Sequence, residues 1–192
     1  MPSPAPRASN LTALLQSAPT AGNARLARCS SETSYRLRHL NPAEVITLFT
    51  PFVPHPPGTA LAKNMDPFEP LGRAFRRQVR HVPYRLDHGM TETHGDFLEA
   101  SGAIVIVICS AENVVAHNAK AFEQQLSFAR AAVAKTTENK SLAGVPVVLL
   151  LITNGAAKTG HESSVQDFPT LITLDEYSPA ALSNAVQVMF GK

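Results

Sequence analysis

Cysteine is scarce: the 192 residues include only Cys29 and Cys109, with no C-x-x-C spacing, which excludes a disulfide framework and a zinc knuckle. Charge is scarce too, at 17% of the chain, and 17 basic against 15 acidic residues leave a formal net charge of +2. So even a scatter gives no reason to expect a nucleic-acid partner, despite a sequence isoelectric point near 8.7. Missing as well is any apolar stretch near the roughly 18 to 20 residues that a membrane span needs, and the N-terminus lacks a continuous hydrophobic signal core. No membrane association is expected.

Apolar residues are plentiful at 44%, enough for a real core, and the length suits one domain with a tail. Residues 1–41 read as a disordered or poorly ordered leader and 42–192 as the domain. Up to Ser31 the leader holds Arg7, Arg25 and Arg28 and no acid, a faint presequence pattern that makes mitochondrial import the alternative to a cytoplasmic location. Reducing surroundings suit both cysteines.

Glu44-Val-Ile-Thr-Leu-Phe-Thr50 reads as the first strand, stopped by Pro51, and a proline-rich connection follows. Asp66-Pro67-Phe68-Glu69 has the parts of a helix start, with Asp66 as N-cap, and the helix is expected to run to about Arg80. It would carry Arg73, Arg76, Arg77 and Arg80 on one solvated face, with an anionic partner as the lesser reading. His81-Val82-Pro83-Tyr84 reads as a strand near a sheet edge, and Thr91 to Leu98 as a short helix. Ala103-Ile-Val-Ile-Val-Ile-Cys109 and Gly144-Val-Pro-Val-Val-Leu-Leu-Leu-Ile152 are continuous apolar runs, the pattern of strands buried on both faces. Between them a loop over 110–115 and one long helix near His117 to Lys135 are expected. After the Asn154-Gly155 turn comes a looser segment, then a strand over 168–174 and a closing helix begun by Ser178-Pro179 and ended by Gly191. Strands alternating with helices predict a three-layer, doubly wound α/β sandwich of flavodoxin-like shape, with a mostly parallel sheet of about five strands.

Familiar catalytic devices are absent. The loop after Thr50 offers prolines where a phosphate cradle needs glycine and backbone N–H groups, so no nucleotide or flavin cofactor is expected. No carboxylates cluster there to hold a divalent metal, and no G-x-S-x-G elbow exists. His81, His88 and His94 lie in one segment but match no zinc spacing, so no metal site is expected.

In doubly wound sheets ligands sit beyond the carboxyl ends of the strands, which directs attention to the loops after Thr50, Tyr84, Cys109 and Ile152, and four residues are singled out as candidates. Asn113 and Asn154 follow the two buried strands and could face a ligand or simply form turns. His117 and Asn118 could hold an oxyanion or cap the helix. A weaker possibility is a small enzyme using His94 or His117 as base.

The succession Ala103 to Asn113, His117-Asn118-Ala-Lys-Ala-Phe-Glu-Gln124, Gly144 to Asn154, and Tyr177-Ser-Pro-Ala-Ala-Leu182 through Val188-Met-Phe-Gly191 resembles the C-terminal domain of glycoside hydrolase family 3. The branch it is most similar to is that of the β-N-acetylglucosaminidases, over roughly residues 42 to 192. In that branch the catalytic residues belong to an N-terminal TIM barrel with a Lys-His-Phe-Pro-Gly type motif. No such motif occurs here, and a barrel takes about 250 residues, so the resemblance assigns no catalytic residue. It implies a non-catalytic accessory or remnant domain whose partner is a glycosidase barrel or an amino sugar. Glu112 is the one tempting match to the acid/base Glu of the β-glucosidase branch. The rival expectation is a free-standing binding module for a small molecule or a protein.

Overall fold

The continuous apolar runs become the middle of the sheet. In a computed structural model of the chain, which describes residues 23–191, Ala103–Ser110 (β4) pairs in parallel with Val147–Thr153 (β5) on one side and Ile46–Pro51 (β2) on the other. Every residue of β4 is buried, as expected of a strand covered on both faces. Val79–Tyr84 (β3) lies parallel to β2 at one edge, where Pro83 costs no interior ladder bond. Leu171–Leu174 (β6) lies parallel to β5, and Arg25–Arg28 (β1) closes the other edge antiparallel to β6. The order is β1-β6-β5-β4-β2-β3.

Helices cover both faces. Ser31–Arg38 (α1), Glu69–Ala74 (α2) and the closing helix pack on one side, while Glu92–Glu99 (α3) and Ala121–Glu138 pack on the other. Between β4 and that long helix lies Glu112–His117 (α4), so the long helix is α5. Lys158–Ser164 (α6) and Pro179–Phe190 (α7) complete the set. The last helix behaves as its sequence requires: Ser178 accepts from the Ala181 amide, Pro179 takes the first turn, and Gly191 adopts φ 68° beyond the end. Its Leu182, Val186 and Met189 are buried on the sheet, each worth about 1.5 to 3 kcal/mol.

The sandwich is therefore α/β, three-layered and mostly parallel, with six strands where about five were expected. The extra strand comes from the stretch taken as leader. β1 and α1 fall within 1–41, because the edge of β6 supplies partners that Arg25-Leu-Ala-Arg28, itself largely exposed, does not advertise. The earlier part of that leader, Arg7 included, lies outside the described residues.

Three helical expectations are corrected. The helix beginning near Asp66 starts at Glu69 and ends at Ala74; Asp66 instead accepts the Phe68 amide in a turn. Arg80 belongs to β3, so the four arginines do not share a helix face. The expected long helix from His117 is two helices broken at Asn118, whose side-chain oxygen accepts the Lys120 amide, and the supposed loop over 110–115 is largely α4. The looser segment after Asn154 holds a short 3-10 turn and α6.

Candidate functional site

The chain runs from β2 outward to β3, then crosses back to β4 and onward to β6, so the direction of winding reverses between β2 and β4. At this switch point the two strands separate. Their pairing ends at Phe49 with Ile106, although β4 continues to Ser110.

That separation leaves backbone groups of β4 without a strand partner. Ile104 bonds toward β5 through the Pro146 carbonyl, so by the two-residue period Val107 and Cys109 face the β2 side. Side chains take over there. The Tyr84 hydroxyl donates to the Val107 carbonyl at 2.8 Å. Gln125 of α5 accepts the Cys109 amide at 2.7 Å and donates to the Cys109 carbonyl at 2.8 Å, standing in for a strand. Burial keeps the Tyr84 phenol well above its ordinary range and pushes the Cys109 thiol up to about 12, so neither is a nucleophile at neutral pH.

Beyond this splayed edge lies a cavity of about 610 Å³. Phe52 and Val53 from the loop after β2, Arg85 and Asp87 from the loop after β3, and His117 and Asn118 from the end of α4 all line it, with Gln124 of α5. Phe52 is 75% exposed, and its amide bond to the Tyr84 carbonyl at 3.0 Å fixes its backbone beside β3. The hydrogen bond from Arg85 holds the Asp87 carboxyl below its usual range, so it is ionised at neutral pH. Among the described residues lining the cavity it is the one carboxylate, whereas glycosidic acid/base chemistry uses two.

The four sequence candidates divide. His117 and Asn118 line the cavity. Asn118 is also tied to the backbone turn between α4 and α5 and donates to Gln124 at 2.9 Å. Asn113 and Asn154 are absorbed by the fold. The Asn113 amide donates to the Tyr177 hydroxyl at 2.6 Å and the His55 carbonyl at 3.2 Å, while Tyr177 donates to the Pro54 carbonyl at 2.8 Å. Asn154 accepts the Glu112 amide at 2.8 Å and donates to the Asp175 carbonyl at 3.0 Å, joining the loops after β4, β5 and β6. Glu112 itself lies against Gly155, where φ is 67° and a Cβ would collide with the carboxylate; it does not line the cavity.

The histidines scatter. His81 meets Thr50 at 2.8 Å, whereas His94 accepts the Thr91 amide in a capping box and packs edge-on to Phe49 and Phe128. Among the described residues no group of three His, Cys, Asp or Glu could hold a metal. Sequence reasoning missed Phe52, Arg85, Asp87 and Gln124. The loops after Thr50 and Tyr84, which hold Phe52, Arg85 and Asp87, were visible as places to inspect, but their convergence with one another and with Gln124 on α5 depends on the strand order.

It also missed His161, whose Nδ1 lies 2.9 Å from Ser110 Oγ and 3.2 Å from Thr153 Oγ1 at the ends of β4 and β5. Its ring stacks on Phe122, and burial lowers its pKa. Ser110 is 1% exposed, so this pair locks two strands rather than presenting a nucleophile.

No family model and no curated protein matches the chain. Solved structures do. One is a fungal multi-domain family 3 β-N-acetylglucosaminidase containing a GCN5-related glucosamine N-acetyltransferase region (14% identity, TM-score 0.56, 88% of this chain). Another is a family 3 β-N-acetylglucosaminidase from Paenibacillus sp. strain FPU-7 (14% identity, TM-score 0.51, again 88% of this chain). The fold is shared. The present chain spans only 16% and 28% of those two proteins, so it is similar to a part of each, in agreement with the resemblance drawn from its segment order. No described helix is long and apolar enough to cross a membrane.

Proposed function

We propose that this chain acts as a non-catalytic accessory domain of the family 3 glycosidase type, related to the β-N-acetylhexosaminidases of carbohydrate metabolism, and that its switch-point cavity contacts an amino sugar. The observation carrying this reading is the cavity between β2 and β4, in a fold shared with parts of β-N-acetylglucosaminidases. An amino sugar pairs an apolar C–H face with hydroxyls and an amide. The exposed Phe52 ring offers a flat apolar surface, and Asn118, Gln124 and Arg85 offer donors and acceptors around it. The single ionised carboxylate, Asp87, argues for binding rather than bond cleavage. The glycosidase barrel is the natural protein partner of such a domain.

The test joins turnover to binding. The purified chain is expected to leave a chromogenic N-acetyl-β-glucosaminide intact, and titrated N-acetylglucosamine is expected to shift the NMR signals of Phe52, His117 and Asn118. Phe52→Ala should weaken that binding by about tenfold, equivalent to roughly 1.4 kcal/mol. Turnover abolished by Asp87→Asn would refute the non-catalytic assignment, and absence of shifts at the cavity would refute the sugar. A free-standing module for another small ligand is the second reading. It is favoured by the Arg85–Asp87 pair at the rim, which suits a charged ligand better than a neutral sugar.

A further inference from the structure

The basic run of the sequence is unused by that site, and the fold carries part of it to the opposite end of the sheet. Arg76 and Arg77 lie between α2 and β3, at the amino edge. The ends of α1 and α7 meet them there, and Arg38, Arg76 and Arg77 line one cavity of about 330 Å³ with Phe75, Phe190 and Gln187.

Neighbouring arginines are neutralised locally: Arg36 pairs with Glu44 and Arg73 with Glu69. Arg38, Arg76 and Arg77 have no carboxylate within 4.0 Å among the described residues. One of the three guanidinium groups is nevertheless tied to the fold, and a second lies against it. Arg77 donates to the Leu40 carbonyl at 3.0 Å and lies 5.7 Å from the Phe190 ring centroid, while Arg38 packs so closely on Gly191 that a Cβ there would strike its guanidinium. Arg76 has φ 50°, the one positive φ at a non-glycine residue among those described. Glycine would adopt this backbone more cheaply, and strain of this kind concentrates where a side chain has a task.

We infer that this amino-edge cavity binds a small organic phosphate monoester, with the phosphate dianion against Arg38, Arg76 and Arg77 and the apolar body against the half-buried Phe190. Guanidinium forks match phosphate oxygens, and a dianion with three terminal oxygens engages more than one fork, whereas a carboxylate is satisfied by a single one. The half-buried Phe190 ring supplies an apolar contact that inorganic phosphate cannot use. The site shares no residue with the switch-point cavity, so it stands or falls independently of the amino-sugar reading.

Calorimetric titration of the full 192-residue chain with phenyl phosphate, inorganic phosphate and phenol tests it. Phenyl phosphate is expected to bind at least about tenfold tighter than inorganic phosphate, with no detectable phenol binding. Its affinity should rise from pH 5 to 7 as the second phosphate proton leaves near a pKa of about 6, the arginines staying charged throughout. Arg76→Gly should weaken binding about tenfold or more without lowering Tm, because glycine accepts the backbone conformation; Arg38→Gln should weaken it similarly. Failure of phenyl phosphate to bind, affinity unchanged in both variants, or binding of an acidic peptide in place of phenyl phosphate would overturn the assignment.

Discussion

The two ends of the sheet treat polar side chains in opposite ways. At the carboxyl edge, Asn113, Asn154, Tyr177, Gln125 and His161 turn their hydrogen-bonding groups inward, onto backbone or hydroxyl groups left over where strands end. At the amino edge, Arg38 and Arg76 project charge that no described carboxylate answers. The carboxyl edge is thus a frame around a cavity, and Phe52, Arg85, Asp87, His117 and Asn118 are among the residues lining it. Removing a polar group should therefore destabilise the fold at the first edge and leave it intact at the second.

Gln125→Leu is the strongest test of that contrast. It leaves the Cys109 amide and carbonyl buried without their partner, and unfolding in urea should show a loss of about 2 to 4 kcal/mol. A loss under about 0.5 kcal/mol would mean β2 can close onto β4 after all. Asn154→Ala is next: losing the ties to Glu112 and Asp175 should cost about 1 to 2 kcal/mol. It should also raise hydrogen exchange at the Glu112 amide. At the amino edge the sign reverses, and Arg76→Gly should gain about 0.5 to 1 kcal/mol by relieving a left-handed backbone.

The smallest effect is the pH dependence. Burial lowers the pKa of His94 and of His161, so the unfolded chain binds more protons than the folded one at mildly acidic pH. The stability they contribute is complete above the unfolded value of about 6.5 and lost as pH falls through the lower folded values. The midpoint of urea unfolding should drop between pH 7 and pH 5, and His161→Gln should flatten that slope. An unchanged slope would show that His161 takes up its proton in place.

Legibility followed burial. β4 and β5 could be read because continuous β-branched and leucine runs have no other stable place than a sheet interior. The closing helix could be read because Ser178, Pro179 and Gly191 set its ends through local bonds. β1 could not, since an exposed edge strand has no apolar pattern and exists through its partner. The break at Asn118 was hidden because Ala121, Phe122, Gln125 and Phe128 keep helical spacing on from the preceding turn. Of the site, His117 and Asn118 were legible as polar residues at the expected start of the long helix. Phe52, Arg85 and Asp87 were not, because nothing local marks a loop residue that meets another loop.

The sequence by itself determined the class of fold, since the alternation of buried runs and amphipathic stretches admits little besides a parallel sheet layered with helices. It also determined the caps that end individual elements, because those bonds join residues a few positions apart. Only the tertiary structure decided that β2 parts from β4 and leaves a cavity, that Asn113 and Asn154 tie distant loops together, and that Arg38 meets Arg76 and Arg77. Each of these depends on strand order and helix placement, which bring together residues tens of positions apart that carry no mark of one another in the chain.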